Sequence, residues 1–322
     1  MLRAGIAITP ELSRRSGVIV GASAGGQSSE DAGFQDLYLR NRNRVHPLTI
    51  PRSMMNAGAS HICMDMGITG PAMTLSTACA SASHAIGQAF WMVRSGQLEL
   101  AIAGGSEAPF SFGLLKAWEA MRVVSSDTCR PFSRDRSGLI LGEGAATLVL
   151  EPLDRAIQRG ATIYGELAGC GMSADAHHIT QPTIDGPALA MRNAISDAEL
   201  EPTSIGYINA HGTGTISNDS TETRAIRAVF GSYTDQVLVS STKSMHGHAL
   251  GAAGAIEAIA TIMALHNQTI PPTINFSEPD PDCNLNLVVN RSQAAEVECA
   301  LSNSFAFGGL NAALLFRKRS PM

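Results

Sequence analysis

PAMTLSTACASASHAIGQAFWMVRSG, residues 71–96, opens as a short apolar run, breaks at a turn of small residues and continues as a long helical segment. The spacing predicts a strand over 71–77 and a helix from Ser81 to Gly96, with Cys79 at the junction. A helix N-terminus offers unpaired N–H groups and the positive end of its dipole, and both favour a thiolate over a thiol. Taken alone, Cys79 reads either as a nucleophile or as a buried, inert cysteine.

The same strand-then-special-residue pattern recurs on both sides. GVIVGASAGG (17–26), AIAGGSE (101–107), ATLVLEP (146–152), IGYINAHG (205–212) and QVLVSSTKS (236–244) are brief β-type runs ending in polar or glycine-rich residues. Helical candidates such as PALAMRNAISDAEL (187–200) lie between them, so the chain reads as α/β, with chemistry assembled from loops at strand ends. EPLDRAIQRG separates two halves, 1–152 and 153–322, without a compositional linker.

Composition excludes several classes. A chain of 322 residues with 44% hydrophobic and 16% charged residues has the content of an enzyme-sized globular protein, not of a disordered or fibrous one. A formal charge of −5 argues against a general nucleic-acid binder. Six scattered cysteines without a CxxC pair fit a reducing cytoplasm. The N-terminus lacks the pattern of a secretory signal, and the apolar stretch Ala249 to Leu265 is interrupted by Glu257, so no membrane span is expected.

Three further motifs carry candidate chemistry. HGTGT (211–215) follows a strand, which leaves His211 as a structural histidine or as half of a catalytic pair. KSMHGH (243–248) places Lys243 and His248 where they could share a cavity, with His246 offset from them. No HExxH motif or familiar ligand spacing occurs, and the adjacent His177 and His178 point in different directions, so no metal site is expected. GASAGG and GAAGA match neither a dinucleotide fingerprint nor a phosphate loop, which lowers a nicotinamide oxidoreductase reading. NSFAFGGLN (303–311) is a core strand and turn or a mobile aromatic gate.

Together, TACASA around Cys79, HGTGT, KSMHGH and SFAFGGLN resemble the β-ketoacyl-acyl-carrier-protein synthases, most closely the elongating type II enzymes and the nodulation protein E group. CRPFSRDRSGLILGEGA (129–145), GMSADAHHIT (171–180), GHALGAAGAIE (247–257) and PPTINFSEPDPDC (271–283) follow in family order. The resemblance implies a thiolase-like fold of two similar halves in a layered α/β/α/β/α core, and a homodimer. It implies Cys79 as the acylated nucleophile, His211 and His248 as the active-site histidines, Lys243 as their electrostatic support and Glu257 as the acidic residue nearby. Phe307 with Gly308 would form the gate and oxyanion region, and Thr213 and Thr215 would contact the pantetheine arm. The partner would be an acyl carrier protein bearing acyl and malonyl groups, and the reaction would require no redox cofactor.

Departures from the family pattern set further expectations. The chain is shorter than family enzymes and starts at the helix before GVIVGASAGG, which predicts an incomplete N-terminal half lacking a first strand. That deficit offers a second reading, an inactive or regulatory partner of the same fold. Ala24 replaces a bulkier residue beside the acyl pocket, which predicts tolerance of a medium to long acyl chain. His246, Leu310 and Ala306 also depart from common family residues. Arg40, Arg42, Arg44 and Arg52 could steer an acidic carrier.

Overall fold

The computed structural model describes residues 4–319. Its strands, in chain order, are β1 (Ser16–Gly21), β2 (Ala72–Leu75), β3 (Leu100–Glu107), β4 (Gly144–Leu150), β5 (Glu166–Ala174), β6 (Tyr207–Asn209), β7 (Leu238–Ser240), β8 (Thr269–Ile270), β9 (Gln293–Ala294), β10 (Cys299–Ala306) and β11 (Leu310–Arg317). They form a four-stranded sheet in the order β2-β1-β3-β4, a five-stranded sheet in the order β5-β11-β10-β6-β7, and the small pair β8-β9.

The two large sheets repeat one plan. β1 runs parallel to β2 and β3, and β4 returns antiparallel on β3. β6 likewise runs parallel to β7 and β10, and β11 returns antiparallel on β10. Parallel strands need crossovers, which the helices supply, and strands covered on both faces do not alternate between buried and exposed positions. That is why VIV in β1 and ALSNSF in β10 are buried residue after residue.

Helices Ser81–Arg94 and Ala253–Asn267 lie between the sheets, the first touching β1, β3 and β5, the second β3, β4 and β10. Helix Ala57–Met66 covers the outer face of the N-terminal sheet, and helices Asp185–Asp197 and Ile216–Phe230 cover that of the C-terminal sheet. The layered α/β/α/β/α expectation therefore describes the molecule. Between the sheets, Ile86, Ala89 and Met92 of the first central helix meet Ala255, Ala258 and Leu265 of the second. Burying a side chain such as Ile86 completely contributes about 1.5–3 kcal/mol. The two helices approach closely near their N-termini: a Cβ on Gly254 would lie 2.1 Å from Ser83 Oγ, which shares a 2.8 Å hydrogen bond with Ser304 of β10.

The expected shortfall of the N-terminal half is corrected. That reading expected a first strand and its packing partners to be missing, leaving sheet and core exposed, but β1 is an inner strand, paired on both sides by the downstream β2 and β3. The half has its own sheet, its own buried core around Val18, Val20 and Ile102, and the turn that carries Cys79. Among the described residues the sheets differ by β5, which pairs with β11 and has no counterpart along β4. The stretch Leu250–Asn267 has the length and hydropathy of a membrane span, yet 67% of it is buried inside the fold, and it serves as the second central helix.

Candidate active site

β2 ends at Leu75, and the chain turns through Thr77–Ala80 into helix Ser81–Arg94. Ala78, immediately before Cys79, has φ +49°, a left-handed conformation that costs a residue with a Cβ about 1–3 kcal/mol. Ser81 holds the turn: its Oγ accepts from the Thr77 N–H (2.9 Å) and donates to the Ala78 carbonyl (2.6 Å). The turn directs the Cys79 side chain into a cavity of about 120 Å³ also lined by His211, His248, Thr213, Thr215, Phe307 and Gly308. Residues from both halves of the chain thus converge there.

The expected thiolate is corrected. Burial pushes the Cys79 thiol up to about 11, outweighing the Lys243 charge and the backbone N–H groups of Phe307 and Cys79, all of which favour the anion. Desolvation penalises the charged form more than a helix terminus rewards it. The resting side chain is therefore a thiol, with the backbone N–H groups of Phe307 and Cys79 near its sulfur.

His211 follows β6 on a turn held by a carboxylate from the next helix. Glu222 accepts from the backbone N–H groups of His211 and Gly212, each at 2.8 Å, and from Asn303 Nδ2 at 3.3 Å. Thr215 caps that helix, Ile216–Phe230, by accepting from Asn218 N–H, and its Oγ1 lies 2.9 Å from Thr213 Oγ1. Asp219 fastens Gly214 N–H (3.2 Å) and Phe132 N–H (2.8 Å), while the buried Arg136 pairs with Asp219 and Asp280. His248 is held by its backbone between Ile140 and Gly142.

The two imidazoles meet edge to face, with ring centroids 5.4 Å apart. Burial first, then the Lys243 charge, lowers both well below the usual histidine range, so both rings are neutral at pH 7. Neither ring nitrogen of His248 has a hydrogen-bond partner, nor does Nδ1 of His211. A neutral imidazole carries one N–H that it can give to an oxygen developing charge. His246 is apart from this pair: it bonds to Thr242 Oγ1 (3.2 Å), and burial lowers it to about 4.

Lys243 and Glu257 are 0% exposed and form an ion pair behind the cavity, outside its wall. Burial raises the Glu257 carboxyl to about 7 even with the ammonium beside it, and its Oε2 has no partner. Among the described residues, no group of three or more His, Cys, Asp and Glu side chains is arranged to hold a metal ion.

Phe307 sits at the turn between β10 and β11 and stacks on Trp118, with centroids 6.1 Å apart and 22° between planes. Gly308 N–H donates to the Ile179 carbonyl (2.7 Å), and Asp175 N–H donates to the Gly309 carbonyl (2.9 Å). Gly309 has φ +69°, and an added Cβ would lie 2.5 Å from Asp175 Cβ. Gly309→Ala should therefore displace the Phe307 turn and lower kcat by about tenfold or more, measured as steady-state turnover, with thermal unfolding as the control. Unchanged turnover would mean that the turn tolerates movement.

Leu310 and Ala306 pack with Cys79 in a small apolar cluster. Ala24 is not on the wall of the cysteine cavity; its N–H donates to Glu107 (3.1 Å), beside a separate open cavity lined by Ala22, Met54 and Met55. Sequence reasoning missed Trp118, Asp175 and Glu107. The grip of Asp219 and Glu222 on the HGTGT turn shows only in three dimensions.

Residues 1–156 match the N-terminal domain of β-ketoacyl synthases, and residues 164–277 match their C-terminal domain, which independently corrects the expectation of an incomplete N-terminal half. Nodulation protein E of Rhizobium sp. (strain N33) is 48% identical over 318 residues, 99% of this chain and 79% of that protein. The 3-oxoacyl-[acyl-carrier-protein] synthase 2 of Synechocystis sp. is 43% identical over 310 residues, 94% of this chain and 74% of that protein. A type II polyketide ketosynthase, solved in complex with its acyl-carrier protein and bound to the hexaketide, superposes with TM-score 0.92 at 32% identity, covering 97% of this chain and 81% of that one. With two family domains in order, a cysteine at a strained strand-to-helix turn and two neutral histidines across one cavity from it, the chain belongs to the β-ketoacyl synthase family.

Proposed function

We propose that Cys79 is the residue acylated in the condensation this enzyme performs. The enzyme is a β-ketoacyl-acyl-carrier-protein synthase, an acyltransferase that joins an acyl thioester to malonyl carrier and lengthens the chain by two carbons. The convergence of Cys79 with His211 and His248 in one cavity carries the assignment of roles. The 1–152 half brings the nucleophile, and the 153–322 half brings the histidines, Lys243 and the gate.

In the first step the Cys79 sulfur attacks the acyl carbonyl, the thioester bond to the carrier breaks, and the thiol proton leaves with the carrier thiol. The N–H groups of Cys79 and Phe307 hold the oxyanion. Malonyl carrier then enters, its terminal carboxylate departs as CO₂, and N–H donors of the neutral His211 and His248 hold the enolate oxygen. The enolate carbon attacks the Cys79 thioester, and the sulfur leaves and regains a proton. Thr213 and Thr215, on the same wall, suit contacts to the pantetheine arm. Burial, with the Lys243 charge adding to it, keeps both imidazoles unprotonated, so that they donate without carrying charge.

Incubation with acyl carrier and malonyl carrier tests this reading. The expected products are β-ketoacyl carrier and one CO₂ per condensation; a folded protein that forms neither overturns it. The inactive-partner reading loses its premise with the N-terminal half in place.

The carrier is taken to be an acyl carrier protein, in line with the ketosynthase complex. Arg40 and Arg42 are both paired with Asp36, which leaves Arg44 and Arg52 as the less encumbered charges of that segment. Carrier affinity should weaken by roughly tenfold between low salt and about 0.5 M salt, read by titration calorimetry. A salt-independent affinity removes electrostatic steering. A homodimer accords with the exposed apolar residues Phe34, Tyr38, Ile50, Phe112 and Leu115, which populate neighbouring helices of the N-terminal half.

A further inference from the structure

Glu107, the last residue of β3, is 4% exposed and its carboxylate gathers four donors. Three come from the loop after β1: Ser23 N–H (2.7 Å), Ser23 O–H (2.6 Å) and Ala24 N–H (3.1 Å). The fourth, Gly251 N–H (3.0 Å), comes from the other half of the chain, three residues after His248. Ser23 Oγ also accepts from Gly251 N–H at 3.2 Å, so the same group is held twice.

The segment so held is under backbone strain. Leu250, between His248 and the Glu107 contact, has φ +46°, a left-handed conformation that residues with a Cβ keep only where the surroundings impose it. On its other side His248 is gripped by Ile140 and Gly142, in the segment that leads into β4, and β4 starts at Gly144 directly opposite Glu107. Both backbone routes to His248 therefore run back to Glu107. The Cys79 turn, by contrast, is closed by bonds among Ser81, Thr77 and Ala78.

We propose that Glu107 is a positioning residue for the decarboxylating half of the reaction, holding the His248 backbone in place from the opposite half of the molecule. The inference rests on the reading that His248 serves the malonyl step. The Glu107 carboxylate is not on the cavity wall; it acts by fixing where the imidazole sits, and displacements near 1 Å in such groups cost orders of magnitude in rate.

Glu107→Gln keeps the size but turns an amide N–H₂ toward N–H donors. Two half-reactions are read separately: acylation of Cys79 by acyl carrier, from intact mass, and CO₂ release from malonyl carrier by the acylated enzyme. The expected result is CO₂ release slowed by about tenfold or more with acylation within about twofold of the unaltered protein. Ser23→Ala, which removes the hydroxyl bridge and leaves the backbone bonds, should show the same split at about two- to fivefold, and it decides the matter if Glu107→Gln does not fold. Equal slowing of both half-reactions, or no slowing, overturns the proposal. A His248→Ala protein that releases CO₂ normally overturns it at its premise instead, so the two failures are told apart.

Discussion

Cys79→Ala will fold with an intact cavity and take no acyl group. Its intact mass after incubation with acyl carriers will stay that of the free protein, while the unaltered chain gains one acyl unit. Condensation will fall by at least about a thousandfold, the scale on which loss of a nucleophile is felt. The thiol, raised to about 11 by burial, predicts more. General thiol reagents at pH 7 should label Cys79 slowly, because little thiolate exists, even though it reacts rapidly with its own substrate once that substrate sits against the Cys79 and Phe307 N–H groups. Acyl transfer to the Cys79→Ala protein would sink the assignment.

Lys243→Met will be the most destabilising single change proposed for this molecule. It strands Glu257 in the interior, and breaking a buried pair from one side costs about 3–5 kcal/mol. The melting temperature should fall by more than about 5 °C, and adding Glu257→Gln should restore most of the loss. The pH dependence has a defined sign. The folded-state carboxyl of Glu257 titrates near 7, above its ordinary value of 4.5, so its contribution is fully present below about 4.5 and is lost as pH rises through about 7. Without Lys243 the carboxyl moves higher still, so the gap between variant and parent should be narrow at pH 5 and wide at pH 8. Thermal melts at the two pH values measure it, and an equal gap at both would show that the pair is not what holds that region.

Strand-end motifs made much of this site legible before any coordinates. Cys79, His211 and Lys243 each come a few residues after a short strand, and such a residue lies at the edge of the sheet; His248 follows after one more helical turn, Lys243–His246. What stayed hidden was held by distance along the chain. Glu107 bonds Ser23 from 84 positions away, and Trp118 meets Phe307 across the whole C-terminal half. No local pattern records such contacts. The thiolate expectation failed because a helix terminus can be read from sequence whereas the depth of burial that opposes it cannot. The expectation of an incomplete N-terminal half came from chain length and starting point, neither of which shows that β1 finds its two partners, β2 and β3, later in the chain.

The close approach at Gly254 and Ser83 acts as a ruler. Each of the two central helices starts beside one part of the proposed site, Cys79 on one and the segment after His248 on the other, so the thickness of their contact bears on how far the sulfur stands from the His248 segment. That spacing is fixed by the absence of a side chain, with a single serine pair beside it. A methyl group added there would act as a shim, widening the gap between two halves whose individual folds are untouched. Catalytic geometry in this enzyme is therefore exposed to drift at a position that binds nothing, and its rate can be retuned by the bulk of residues remote from substrate.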